Sequence, residues 1–422
     1  MRSKPYGGHE RDKLNTAYRV KIYKVKICSH NIKKRAKKME KIGIIGVGAT
    51  KFGELWKQGL RDLLAESQLK ALEDSGLNER DINMIVTGNM CSSDFSGQNH
   101  LGSMAAEILN IKVPSIKVEA ACASGSVALR QGIQAIKSGE ADIVMVNGVE
   151  KMTDVQTRQA TTGLMGAGDE EWEGFNGLTF CGLYAMMARA YMHKYKLTRE
   201  QLALVSVKNH KHAMLNPIAH FHNEVTVDQV LNSSIIADPL TLLDCSPITD
   251  GSASVIIAKE EIAKKMDTPI WILGSGQAND TLSLHARSSL TEIPATAQAA
   301  RLALLQAKTG LDKIDVTEVH DCFSIAEVMA IEDLGLVGRG EAGKILEEGQ
   351  TYYDGKIPIN SCGGLKACGH PIGATGIKQV WEIVKQLRGE AGKRQVKGAN
   401  VGLTHNVGGT GSTVVVNVFG RA

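Results

Sequence analysis

Two stretches of this chain carry the same order of apolar and polar positions. KIGIIGVGAT (41–50) and TPIWILGSGQAN (268–279) each read as a buried strand that ends in glycine turns. Each is followed by a turn of small residues, an apolar helix and a further strand. In the first copy the turn surrounds Cys122, and the helix SGSVALRQGIQAIKSG leads to the strand ADIVMVNG. In the second the turn holds His370, and ATGIKQVWEIVKQLRG leads to ANVGLTHN. Ile377, Val380, Trp381, Val384 and Leu387 recur at helical spacing, which gives that helix a buried face. Gly139 and Gly389 stand where a left-handed residue would close each helix. A last strand, SASVIIAK (252–259) or STVVVNVF (412–419), completes each copy.

The spacing of the copies locates an insertion. Ile143 and Val401 are 258 positions apart, whereas Val255 and Val414 are 159 apart. The first copy is therefore longer by 99 residues, all between its last two strands. This predicts an α/β protein of two related halves, 39–265 and 266–422, with an insertion at about Val149–Asp250. The insertion holds helical pattern in LYAMMARAYMHKYKL and TREQLALVSVKNHKHAML, with glycine-rich loops between. Stacking the halves about a pseudo-twofold axis brings the N-termini of the two central helices together. Cys122 and His370 then fall at one point.

Composition narrows the class. Aromatic residues make up only 5% of the 422, so the core must pack on Ala, Val, Ile and Leu. No apolar run reaches the roughly 18–20 residues that span a bilayer. The cysteines at 28, 91, 122, 181, 245, 322, 362 and 368 show neither a CxxC pair nor a regular spacing. That favours reduced thiols in a cytoplasmic protein over a disulfide framework or a zinc site. The net charge of +4 hides an asymmetry: residues 1–38 hold 13 Lys/Arg and 2 Asp/Glu, and the remainder hold 36 and 43. The basic extension 1–38 reads as a disordered segment or as sequence upstream of a true start at Met39. A nucleic-acid or anionic-surface arm and a transit peptide are the other readings.

Four strings carry the chemistry: EAACASGS around Cys122, HDCF at His320–Phe323, CGHPIGATG around His370, and HNVGG at His405–Gly409. Cys122 precedes a predicted helix, where the dipole and free amides are expected to lower a thiol's pKa. Its neighbours Ala121, Ala123, Ser124 and Gly125 are small enough to admit an acyl group and a thin substrate arm. The histidine pairs at 210/212 and 220/222 lack an acid or cysteine at ligand spacing, so no metal is assigned to them. Cys362 and Cys368 read as packing or channel residues. GVGATKFG does not meet the GxGxxG dinucleotide pattern.

Together these strings resemble the thiolase family, in its sterol-carrier-protein-like and archaeal branch, from about Lys41 to Ala422. The resemblance implies a thiolase fold, two βαβαβαββ halves in five αβαβα layers with an inserted loop domain over the substrate. It implies Cys122 as nucleophile, and His370 as the base that deprotonates it. HDCF stands where commoner thiolases carry Asn-Glu-Ala-Phe. His320 thus aligns with an Asn that holds an oxyanion-hole water, and Cys322 with the Ala. The commoner family takes its second thiol from a Cys-x-Gly string where this chain reads Asn406-Val407-Gly408. The acid/base cysteine is therefore expected at Cys322, with Gly408 supplying an oxyanion-hole amide beside that of Cys122. His405 and Asn406 would be supports.

The implied activity is an acetyl-CoA C-acyltransferase, an acetoacetyl-CoA thiolase with acetyl-CoA, acetoacetyl-CoA and CoA as ligands and no cofactor or metal. The implied assembly is a homodimer or dimer of dimers. A 3-hydroxy-3-methylglutaryl-CoA synthase and a zinc-ribbon/OB-fold scaffold would be partners toward mevalonate, with no nucleic acid and no membrane. Two other readings stay open: a ketoacyl-synthase-like condensing enzyme, and a partner-dependent acyl-CoA-binding subunit.

Overall fold

The computed structural model describes residues 41–421; the basic extension 1–38, Met39 and Cys28 lie outside the described residues. The first half runs β1 (Ile42–Ala49), α1 (Leu60–Ser75), β2 (Met84–Gly88), β3 (Ser115–Val118), α2 (Ser124–Ser138) and β4 (Ile143–Glu150). Between β4 and the next long strand stand α3 (Phe180–Tyr195), α4 (Arg199–Ala213) and a short hairpin of β5 (Ile235–Ala237) and β6 (Leu240–Thr241). The strand β7 (Gly251–Lys259) then closes the first half. The second half runs β8 (Ile270–Asn279), α5 (Pro294–Ala307), β9 (Val316–Glu318), α6 (Ser324–Asp333), α7 (Ile372–Arg388), β10 (Val401–Gly408) and β11 (Thr413–Gly420).

The strand order β3-β2-β4-β7-β1-β8-β11-β10-β9 shows the repeat. In each half the inner strands pair in parallel and the last strand returns antiparallel beside the fourth. The second half has a single parallel bridge, Thr317–Ile359, where the first has β3. The two half-sheets meet at a short antiparallel ladder, Gly43–Trp271 and Ile44–Ile270, so backbone pairing is continuous through nine strands. Helix α1 covers the first half-sheet and α5 the second, while α2 and α7 pack between them. The central core joins Leu129 and Ile133 of α2 to Ile377, Val380 and Val384 of α7. Among the described residues no helix is long and apolar enough to cross a membrane.

Both central helices end on left-handed glycines, Gly139 (φ 82°) and Gly389 (φ 78°). They cross where neither carries a side chain. A Cβ on Gly376 would lie 2.4 Å from Asn406 Oδ1 and 2.5 Å from Ser126 N, and one on Gly125 would lie 2.7 Å from Gly373 O. Glycine here sets the interhelical distance, and that distance lets both N-termini reach one site.

The long segment between β4 and β7 is clamped at its two ends by one buried carboxylate. Asp250 accepts from Lys151 Nζ (2.7 Å), Met152 N (2.7 Å), Thr153 N (3.0 Å), Thr153 Oγ1 (2.6 Å) and Leu55 N (3.0 Å). A fully satisfied buried ion pair fixes geometry, and removing one partner would strand a charge. Within the segment the TREQ signal is a capping box: Thr198 Oγ1 accepts from Gln201 N at 3.1 Å and Gln201 Oε1 from Thr198 N at 3.0 Å.

The helix crossing gives a test. Gly376→Ala is expected to destabilise the protein by about 1–3 kcal/mol through overpacking, read as a drop in the thermal unfolding midpoint. Ala at Gly59, whose φ is −83° and whose Cβ would meet only Asp62 Oδ2 at 3.6 Å, is the control for the loss of an unstrained, uncrowded glycine.

Candidate active site

The turn before α2 is tight. Ala121 adopts φ 52°, Ala123 N donates to Ala120 O at 3.0 Å, and Ser124 Oγ donates to Ala121 O at 2.6 Å. Cys122 is thereby presented at the N-terminus of α2, opposite His370 at the N-terminus of α7. His320 arrives on the loop after β9. Cys122 Sγ and ring nitrogens of His320 and His370 all lie within 4.8 Å of one another. The two imidazoles meet edge to face, with centroids 5.0 Å apart.

Hydrogen bonds fix the role of each ring. Thr375 donates its hydroxyl proton to Pro371 O (3.1 Å), so its oxygen accepts from His370 Nδ1 (2.6 Å). His370 Nε2 is then the free lone pair, a base. Asn406 Nδ2 donates to Cys122 O (3.0 Å) and to His320 Nδ1 (3.2 Å). His320 therefore carries its proton on Nε2, which is buried and finds no partner among the described residues. A buried N–H without an acceptor is costly, and a substrate oxygen would relieve that cost. Asn406 thus orients both the nucleophile's loop and the donor. His405 stands further back, with Nε2 3.0 Å from Thr296 Oγ1.

Burial governs the charges. It drives His370 down to about 3, with Lys378 adding to the effect, and holds His320 well below the ordinary imidazole value. The Cys122 thiol is pushed up to about 12, chiefly by burial, with the Gly409 amide opposing and Glu150 reinforcing. Backbone amides of Gly409 and of Cys122 itself lower this thiol, as the helix N-terminus suggested, but desolvation of the thiolate outweighs them. At rest the pair is a thiol and a neutral imidazole. A backbone amide that lowers the Cys122 thiol is that of Gly409, next to Gly408 at the end of β10. Gly408 has a steric role: a Cβ there would lie 2.5 Å from Ala120 O, inside the nucleophile's turn.

Cys322 is buried beside this group, and its thiol is raised above the ordinary value by burial and then by Cys122. The Tyr184 hydroxyl donates to Gly409 O at 3.0 Å and lowers the Cys322 thiol from beside it, while its ring stacks on Phe323 at 4.7 Å. Sequence reasoning missed Tyr184, because within its helix it reads only as one of several apolar positions. It also missed Asp321, whose carboxylate accepts from the Leu365 and Lys366 amides (2.7 and 3.2 Å) and from Asn209 Nδ2 (2.7 Å). That carboxylate joins the HDCF string to the segment that ends in His370.

A cavity of about 330 Å³ opens onto Cys122, Cys322, His370, Tyr184 and Gly409. Its remaining wall is largely apolar, including Met90, Met152, Leu164, Phe180, Ile248 and Ile372. Most of that wall comes from residues between β4 and β7. A wider surface hollow of about 810 Å³ beside Ala300 and Leu304 has no thiol or imidazole in its lining. The histidines of the 210/212 and 220/222 pairs each bond a different acceptor: Asn223 O, Asn360 O, Thr249 Oγ1 and Asn216 O. Cys362 and Cys368 are fully buried, with Cys362 between Glu318 (2.8 Å) and Lys378 (3.1 Å), and they do not line the cavity.

A cysteine and two imidazoles at the meeting N-termini of paired α/β halves define a condensing-enzyme class that carries acyl groups on sulfur. Residues 42–261 match the family described as thiolase, N-terminal domain, and residues 276–421 that described as thiolase C-terminal domain-like. The chain belongs to the thiolase family. It is 53% identical to an acetyl-CoA acetyltransferase of Methanothermobacter thermautotrophicus over 91% of this chain and all of that protein. It is 35% identical to sterol carrier protein 2 of Bos taurus, over 90% of this chain and 72% of that protein. Among solved structures it is similar to an Ltp2–ChsH2(DUF35) aldolase, with TM-score 0.79 and 25% identity over 90% of this chain and 98% of that one.

The protonation states predict how Cys122 reacts. Its alkylation rate should rise steadily with pH, roughly tenfold per unit across neutrality, as the thiolate fraction grows. A plateau between about pH 5 and 8 would instead reveal a preformed thiolate–imidazolium pair.

Proposed function

We propose that this enzyme is an acetyl-CoA acetyltransferase, condensing two acetyl-CoA to acetoacetyl-CoA and CoA or running the reverse thiolysis. The observation that carries the proposal is the convergence of Cys122, His370 and Cys322 on one apolar cavity, with His320 within 4.8 Å of the first two. The acetyl-CoA acetyltransferase relative at 53% identity supports the acyl group chosen. Such chemistry needs no redox cofactor and no metal.

In the first half-reaction His370 Nε2 takes the Cys122 proton as the sulfur attacks the thioester carbon. Negative charge develops on the carbonyl oxygen, where the backbone amides of Gly409 and Cys122 are the donors at hand. The tetrahedral species collapses, the C–S bond to CoA breaks, and the leaving thiolate takes the proton from His370. In the second half-reaction a new acetyl-CoA sets its carbonyl oxygen against His320 Nε2–H. Cys322 gives its proton to solvent and, as thiolate, removes the α-proton, and the resulting carbon nucleophile attacks the acetyl-Cys122 carbonyl. Cys122 leaves as thiolate and takes a proton from solvent, which leaves both cysteines as thiols. Preorganised donors of this kind act in a dry site where each is worth far more than in water.

The reading extends to a cytoplasmic enzyme that self-associates and passes acetoacetyl-CoA to a 3-hydroxy-3-methylglutaryl-CoA synthase held by a zinc-ribbon scaffold. Removal of product would offset a condensation equilibrium that favours cleavage.

The test is thiolysis of acetoacetyl-CoA, followed by loss of its enolate absorbance. Cys122→Ala should abolish turnover. His320→Ala should lower kcat by about 10²–10³-fold, the cost of removing one oxyanion donor, with thermal stability close to that of the parent. An active Cys122→Ala enzyme would sink the proposal.

A further inference from the structure

Acyl transfer as derived above leaves two thiols of the cavity wall unused. Cys181 stands in the first turn of α3, and Cys245 on the loop beside Phe323; both are half-buried and both line the cavity. The Cys245 thiol donates to Thr241 O at 3.4 Å, and each of the two sulfurs weighs on the ionisation of the other. A second feature points to the same spot. Lys366 is 1% exposed, and its ammonium has no hydrogen-bond partner among the described residues. Its charge acts on both thiols and on the Asp244 and Asp321 carboxylates. An unpartnered buried cation next to paired sulfurs favours an anion on one of them. The Cys181 thiol is drawn below the ordinary value, by the neighbouring Cys245 thiol first, whereas burial pushes that of Cys122 up. Thiolate is the nucleophile in disulfide exchange.

We propose that Cys181 and Cys245 form a thiol–disulfide exchange site in the wall of the acyl cavity, taking low-molecular-weight disulfides such as CoA disulfide and closing to an internal disulfide. The Cys181 thiolate attacks one sulfur of the incoming disulfide. A new S–S bond forms, the old one breaks, and the released thiolate takes a proton from solvent. Cys245 then gives its proton to solvent and attacks the Cys181 sulfur, expelling the second thiolate, which is protonated in turn. The protein dithiol is oxidised by two electrons and the small disulfide is reduced to two thiols.

The product ties α3 to the 245–250 loop, which backs the acid/base cysteine. Ser246 N, next to Cys245, donates to Cys322 O at 2.9 Å. During the first step the small thiol itself occupies the cavity. Both states exclude a thioester from Cys122.

The test uses the full chain, reduced and freed of reductant, with 2-hydroxyethyl disulfide and CoA disulfide as separate probes. Peptide mapping by mass spectrometry is expected to show a mixed disulfide first at Cys181, at least about tenfold faster than at Cys122 near neutral pH. It should then give way to a Cys181–Cys245 peptide pair that has lost two hydrogens. In Cys245→Ser the mixed disulfide should persist at Cys181. Recovery of Cys181 and Cys245 as free thiols, while Cys122 or Cys322 carries the adduct, would overturn the proposal. Mapping does not require turnover, so it stands apart from the acyl-transfer test. Oxidised parent enzyme should lose thiolysis activity and regain it with dithiothreitol. Cys181→Ser should keep a larger fraction of its own starting activity through the same exposure. Equal inactivation of the two would overturn closure of the cavity by this pair.

Discussion

The close crossing of α2 and α7 is the contact on which the active site depends. With Gly125 and Gly376 at the contact, the two helix backbones approach until Cβ atoms would overlap their neighbours. Each helix starts at the same end of the crossing, so one N-terminus delivers Cys122 and the other His370. The duplicated fold explains why two such helices exist. The glycines explain why they come near enough for a sulfur and an imidazole to share a proton. Asn406 lies in the same contact, its Oδ1 pressed toward Gly376 and its amide nitrogen bridging Cys122 and His320. Packing and proton positions are therefore set by the same few atoms.

Around this crossing, buried carboxylates hold the loops. Asp250 clamps both ends of the long segment over the site, and Asp321 joins the His320 loop to the stretch before His370. Glu150 accepts from Asn89 Nδ2, the Met90 and Cys91 amides, and the Gly373 amide at the start of α7. Burial still raises Glu150 to about 7. For a carboxyl raised above its unfolded value, the contribution to stability is full below that unfolded value and fades as pH rises toward 7. Loops carrying catalytic groups are thus pinned by hydrogen bonds more than by apolar contact. That suits a cavity whose wall must stay free for an acyl chain.

Much of this was legible in the chain before any coordinates. The two strand–helix–strand patterns and the left-handed glycines lie where the periodicity put them, because strand and helix patterning is local and the repeat doubles the signal. The strings around Cys122, His320, Cys322 and His370 stood out because each combines a reactive side chain with small neighbours. What could not be read is what forms only in three dimensions. Tyr184 looks like any aromatic on a helix until α3 folds over Phe323. The amide of Gly409 acts on the Cys122 sulfur only because the end of β10 meets the turn before α2, a contact between residues nearly 290 apart in the chain. The thiol pair at Cys181 and Cys245 is 64 residues apart in the chain and has no motif.

Two opposing effects act on the Cys122 thiol. A helix N-terminus stabilises a thiolate by a modest dipole, worth about 0.3–1 kcal/mol in exposed settings, whereas full burial can move a pKa by roughly 3–5 units. In a cavity built to exclude water the second effect wins. The enzyme then holds neutral groups at rest and creates charge only when substrate arrives to receive it. The same argument gives Cys322 a direction. Burial raises its thiol, so in the proposed reaction it would donate to the departing acetyl-CoA carbanion in thiolysis and must first lose that proton in condensation. The Tyr184 hydroxyl, which donates to Gly409 O at rest, would then turn toward the sulfur as that charge forms.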